Sequence, residues 1–198
     1  MGIEKTIIKQ KIMEVEIEDY LKSIFEKAEY SSLRVEKTPV LTRIIVYVGK
    51  PAIAIAKLRK MENEIKEVLT KKYNILNPQI VIEEVPNPYL DAKIVAYRIK
   101  RAIERGINFK KAALFYIERC MENGALGIEV RVAGKLLGKE RSAAYKFSKG
   151  YILHTGFLKE IFVEEAKAQA IIPVGIVGIR VRILKNLPEM VKPISSNK

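Results

Sequence analysis

Two prolines one residue apart, Pro86 and Pro88, cut this 198-residue chain into halves that cannot share a continuous strand or helix. Proline lacks the N–H that a ladder or a helix interior needs, so the strand running into Pro86 stops there. The pieces on either side are each long enough to bury a small core. The expected organisation is one domain over 1–86, a second over 87–185, and a flexible tail over 186–198, where prolines and serines replace any periodic pattern.

Before the break, residues 15–29 predict an amphipathic helix, with Val15, Ile17, Tyr20, Leu21, Ile24 and Phe25 near one stripe. Leu33-Arg34-Val35 and residues 42–48 predict strands, with a turn at Thr38-Pro39. Gly49-Lys50-Pro51 opens a helical region running to about Tyr73, and residues 79–85 predict another strand. The expected order is helix, strand, strand, helix, helix, strand.

After the break, Asn87 is a candidate N-cap and Pro88 suits a first helical position, so a helix is expected over 88–105. Asn108 caps the next helix, whose apolar face carries Phe109, Ala112, Ala113, Tyr116, Ile117 and Cys120. Gly124 ends it. The period then becomes two at 128–132 and again at 179–183, and strands are also expected over 141–152 and 160–172. The echo of GIEVRV (127–132) in GIRVRI (178–183) fits a duplication, but six residues of alternation recur easily, and two strands of one half-buried sheet are expected.

Charge is distributed unevenly. The formal net charge is +13 and the pI about 9.7. Residues 1–86 hold 15 Lys/Arg against 13 Asp/Glu, a net of +2, whereas residues 87–198 hold 21 against 10, a net of +11. Abundant Lys, Glu and Ile with little Gln suit thermal adaptation, which explains many charges but not their one-sidedness. A one-sided positive surplus points to a polyanion, and here to the second half as its seat. No apolar run approaches the roughly 20 residues of a membrane span, and Met1-Gly2-Ile3-Glu4-Lys5 is not followed by an uninterrupted apolar core like that of a signal peptide. A lone Cys120 makes no internal disulfide, and a cytoplasmic location is expected.

Residues that carry catalysis are scarce. There is no phosphate-cradling glycine loop and no metal-ligand cluster; His154 is the only histidine and lacks an evident acid partner. An enzyme is not expected, nor any cofactor. The basic clusters are more informative. In the helix over 88–105, Arg98, Arg101 and Arg105 project from one side while Val95, Ile99 and Ala102 form the packing side. Lys110 and Lys111 fall in the first turn of the next helix, where the macrodipole disfavours cations by about 0.3–1 kcal/mol. Two readings fit: a solvated pair, or a pair that meets a bound anion. A third cluster holds Arg131, Lys135, Lys139, Arg141, Lys146 and Lys149, with Gly134 and Gly138 bracketing Lys135. Tyr145 and Phe147 interleave with it, and both base stacking and core packing fit those rings.

Several segments, taken in order, resemble the S-three family of small-subunit ribosomal proteins, in its archaeal branch. They are Asn77-Pro78-Gln79-Ile80, Asn87-Pro88-Tyr89-Leu90-Asp91-Ala92-Lys93, Ile103-Glu104-Arg105-Gly106, Phe109-Lys110-Lys111-Ala112-Ala113, Gly134-Lys135-Leu136-Leu137-Gly138, Lys149-Gly150-Tyr151 and residues 175–181. The resemblance implies an α/β (α+β) chain: a type II KH-like domain, then a second α/β domain of two helices on a mostly antiparallel sheet. It implies a ribosome-bound protein of the small-subunit head whose partners are ribosomal RNA, mRNA where it enters, and neighbouring head proteins. Lys110 and Lys111 match positions beside incoming mRNA, and the Gly134–Gly138 loop matches a region near ribosomal RNA.

One departure stands out. KH domains grip a single strand with a Gly-x-x-Gly loop, and that slot is here Ala56-Lys57-Leu58-Arg59. The stretch is rich in helix formers and can continue as helix. The first domain is therefore expected to be mainly a packing module, with Lys57, Arg59 and Lys60 offering side-chain contacts at most. This departure disfavours a free-standing KH regulator. A DNA-lesion lyase, an activity of some eukaryotic relatives, lacks a marked lysine, and a membrane-surface role lacks a single basic amphipathic segment.

Overall fold

The computed structural model describes residues 3–38, 41–73, 75, 78–136 and 141–186. The first helix, α1 (Ile3–Phe25), starts well before the expected stripe and stops four residues earlier than expected. It stops because a short 3-10 turn, Glu26–Ala28, follows, and Glu29 then takes a left-handed conformation at φ 61°. Its buried face is Ile17, Leu21, Ile24 and Phe25.

Strands β1 (Tyr30–Lys37) and β2 (Thr42–Val48) pair antiparallel, and β3 (Pro78–Glu84) joins β2 in parallel. The turn expected at Thr38-Pro39 lies partly outside the described residues; Thr38 N–H donates to Leu41 O at 3.0 Å. A parallel pair needs a crossover, and α2 (Pro51–Tyr73) supplies it. The two helices expected here are one. With alanine at position 56 and arginine at 59, nothing interrupts the i→i−4 ladder where a Gly-x-x-Gly loop would break it. Ile65 and Leu69 of α2 close a core with Leu21, Phe25, Ile44, Val46 and Val48.

The chain forms two units, Met1–Pro86 and Asn87–Lys198. In the second, residues 87–90 form a turn, with Leu90 N–H donating to Asn87 O, and α3 (Ala92–Glu104) begins later than expected. Asp91, not Asn87, is the N-cap: its Oδ1 accepts from Lys93 N at 2.8 Å and Ile94 N at 3.0 Å. Helix α4 (Phe109–Glu122) starts at Asn108, whose Oδ1 accepts from Lys110 N at 2.9 Å, as expected.

Strands β4 (Gly127–Gly134), β5 (Ala143–Gly150), β6 (Val163–Ile172) and β7 (Gly175–Leu184) form an antiparallel sheet in the order β5-β4-β7-β6. The two echoing segments are neighbours in it, with Ile128 opposite Ile183. The strand expected over 160–172 opens instead as a short helix, α5 (Phe157–Phe162), entered through Gly156 at φ 89°. Helices α3 and α4 cover one sheet face, burying Val95, Ile99, Ala113 and Ile117 against Val130, Val132, Ile179 and Val181. No helix of the described residues is long and apolar enough to cross a membrane.

Candidate nucleic-acid interface

Most of the basic residues singled out in the second unit fall into three places. The first is the corner between α3 and α4. Arg105 ends α3, its N–H donating to Arg101 O, and Gly106 at φ 84° turns the chain toward Asn108 and the start of α4. Arg101 and Arg105 thus stand at one helix end, and Lys110 and Lys111 at the beginning of the next. Lys110 and Lys111 are exposed, and Lys110 Nζ sits 5.6 Å from the centroid of the Tyr145 ring. Arg98, one turn back, is held against the Tyr89 ring at 4.7 Å and is half-buried.

The second place is the end of the β4–β5 ladder, where Lys135 follows β4 and Arg141 precedes β5, both exposed. Leu136 is buried beside them. Lys139 and Gly138 lie outside the described residues. The third place is the sheet face left open by the helices. Arg131 stands there on β4 with Lys146 opposite it on β5. Lys149 does not join them: it pairs with core residue Ile128 and so lies on the other side of the sheet, near the far end of the ladder.

The rings interleaved with these lysines belong to the core. Tyr145 and Phe147 pack against it, with centroids 5.1 and 6.4 Å from Phe109. Stacking on bases is thereby set aside for Phe147, while Tyr145 serves as the platform over which Lys110 rests.

Among the described residues, Arg101, Arg105, Lys110, Lys111, Arg131, Lys135, Arg141 and Lys149 have no carboxylate within 4.0 Å. Lys146 does: its Nζ lies 2.8 Å from Glu129, a carboxylate buried in the open sheet face and also approached by Arg182 at 3.5 Å and His154 at 3.7 Å. In the first unit, Lys57 Nζ donates to the carbonyl of Ile24 at the end of α1, so this cation is spent on holding two helices together. Arg59 and Lys60 are exposed on α2.

Sequence reasoning passed over Lys167, Arg180 and Arg182. Arg182 donates to Glu165 at 2.8 Å. Burial pushes the Glu165 carboxyl upward, but Arg182, Arg180 and Lys167 together bring it below its ordinary range. The alternation of 179–183 was the signal that places both arginines on the open face.

Cys120 faces the core with no exposed surface, and burial pushes its thiol up to about 12 against a smaller downward pull from Arg98. The folded chain is expected to resist a thiol reagent that modifies the unfolded chain within seconds, which a chromogenic thiol assay checks. The raised value also sets a sign. Folding keeps the thiol protonated, so this contribution is intact below the ordinary thiol pKa of about 9 and is lost as pH rises toward 12.

A first α/β unit and a second α/β unit rich in cations that have no carboxylate partner among the described residues define a two-unit α/β protein with a strongly basic second half. The family described as "KH domain" matches residues 16–90, and "Ribosomal protein S3, C-terminal domain" matches residues 99–183. The small ribosomal subunit protein uS3 of Methanococcus aeolicus is 40% identical over 191 residues, which is 96% of this chain and 90% of that protein. The uS3 of Methanocorpusculum labreanum is 40% identical over 184 residues, covering 93% of this chain and 79% of its own length. The chain belongs to the ribosomal protein S3 family, the uS3 proteins of the small ribosomal subunit.

Proposed function

We propose that this chain is a structural constituent of the small ribosomal subunit, binding ribosomal RNA through its second unit and presenting Lys110 and Lys111 to mRNA where it enters. The observation that carries this is the set of cations in the second unit that have no acidic partner. The helix dipole opposes Lys110 and Lys111 in the first turn of α4, and among the described residues neither finds a carboxylate there; Lys110 meets only the Tyr145 ring. A bound phosphate backbone removes that penalty, because the ammonium groups and the free N–H groups of the turn face it together. The first unit acts as a brace: α2 runs unbroken through the Gly-x-x-Gly slot, and Lys57 is engaged with α1. The chain works by docking and not by catalysis, ribosome-bound in the cytoplasm, alongside neighbouring proteins of the subunit head.

The double variant Lys110→Glu/Lys111→Glu tests the assigned role. Small-subunit assembly in sucrose gradients is expected to weaken or persist, but mRNA capture by the assembled subunit should fall several-fold. Unchanged capture and unchanged assembly together remove the role given to this pair.

A further inference from the structure

We propose that the open face of the second unit's sheet is a second seat for RNA sugar–phosphate backbone, apart from the α3–α4 corner. This rests on the reading just given and deepens it, adding Lys167 and Arg180 to the residues that meet RNA.

The strand register builds the surface. Arg131 lies opposite Lys146 on one side and Arg180 on the other, and Arg180 lies opposite Lys167. Four cations therefore form one row across β5, β4, β7 and β6, spanning about 14 Å at the usual spacing between strands. The adjacent row is Ala144, Ala133, Gly178 and Gln169, three small residues and one uncharged polar one. The row beyond the cations is Ser148, Glu129, Arg182 and Glu165.

Like charges placed directly opposite each other destabilise a sheet. Arg131 next to Arg180, and Arg180 next to Lys167, are such placements, so folding alone selects against the row. Cross-strand ion pairing accounts for part of the face: Arg182 is held at 2.8 Å by Glu165, and Arg180 approaches the same carboxylate at 3.4 Å. It does not account for Arg131, which is exposed and has no carboxylate within 4.0 Å among the described residues.

The two acids also lie low. Glu129 is 6% exposed and Glu165 28%, whereas Lys146 is 52% exposed and Lys167 69%. The carboxylates orient the basic side chains from beneath, and an approaching partner meets the cations. A depression of about 360 Å³ lies among Glu129, Arg131, Lys146, Arg180 and Arg182. RNA fits this surface better than a protein partner does. Protein interfaces place aromatic residues at the centre and are depleted in Lys and Glu, whereas this face carries Lys146, Lys167, Glu129 and Glu165, and the Tyr145 and Phe147 rings pack toward the core.

The test uses the full chain with small-subunit ribosomal RNA as the probe, titrated with potassium chloride. Arg131→Gln/Lys167→Gln/Arg180→Gln removes three of the row's four cations and leaves Lys146 and Arg182 beside the two acids; Arg131→Gln alone disturbs no ion pair. The slope of log affinity against log salt should become shallower by about 2–3 for the triple variant and by nearly 1 for the single one. The melting temperature of the free protein should stay level or rise, since repulsion is relieved. A triple variant that binds with the affinity and slope of the parent sinks the surface. So does one that binds RNA normally but fails to enter subunits, because its occupant is then a protein. A parent chain with no affinity for the RNA sinks the underlying reading instead, and the surface with it.

Discussion

Replacing Gly127 by alanine should cost about 2–4 kcal/mol of folding stability, a large loss for one methyl group. A Cβ at this position would lie 2.0 Å from the Tyr151 carbonyl oxygen, 2.6 Å from its carbon and 2.7 Å from its nitrogen. These are backbone atoms, so no side-chain rotation relieves the clash. The crowding has a cause. Gly127 and Gly150 are register partners closing one end of the β4–β5 ladder, and the chain then doubles over them, with Tyr151 N–H donating to Leu126 O at 3.0 Å. Gly150 is itself left-handed at φ 78°, 2.3 Å between its virtual Cβ and Leu126 O. Relief requires β5 to move away from β4 at this end, which gives up ladder hydrogen bonds to the one strand that β5 pairs with. Urea unfolding should show a lower midpoint at an unchanged slope. Gly106→Ala is the contrast: its Cβ meets nothing within 4 Å, so only the φ of 84° matters, at about 1–2 kcal/mol. Equal midpoints for the two variants would refute the steric account.

What the chain discloses by itself depends on whether a feature is local. Residues 42–48 are legible as a strand because a run of β-branched and aromatic residues ends at Gly49-Lys50-Pro51, and β2 spans those residues. Asn108 is legible as a cap for the same reason. The start of α3 is not, because Asn87 and Asp91 are both good caps four residues apart; the choice falls to Asp91, whose single oxygen accepts two N–H groups. The single helix α2 is half legible: helix propensity across Ala56–Arg59 points to it, but the family pattern suggests a break. The row across the open sheet face is the least legible feature. Alternation within β7 sends Arg180 and Arg182 outward, but that Arg131 stands between Lys146 and Arg180 is a matter of register among four strands separated in sequence. For the same reason the basic residues from 131 to 149 look like one cluster along the chain and lie at three places in the fold.

Raising salt should weaken ribosomal RNA binding by about a thousandfold or more between roughly 50 and 200 mM, provided six or more cations of the second unit meet phosphates. The second unit supplies eight cations without a carboxylate within 4.0 Å among the described residues, so they are available to phosphates. Each phosphate contact releases condensed counterions, so the slope counts contacts directly. The first unit gives the opposite expectation. Its surplus is small, Lys57 is engaged with the Ile24 carbonyl, and α2 closes the slot where bare backbone would approach phosphate. Arg59→Glu/Lys60→Glu should therefore leave the slope within about half a unit of the parent, whereas Arg105→Glu/Lys110→Glu/Lys111→Glu should make it shallower by about 2 or more. Fluorescence anisotropy with labelled RNA over a salt series distinguishes the two. If the first-unit variant loses as much slope as the second-unit one, RNA is gripped by both units and the division into brace and seat is wrong.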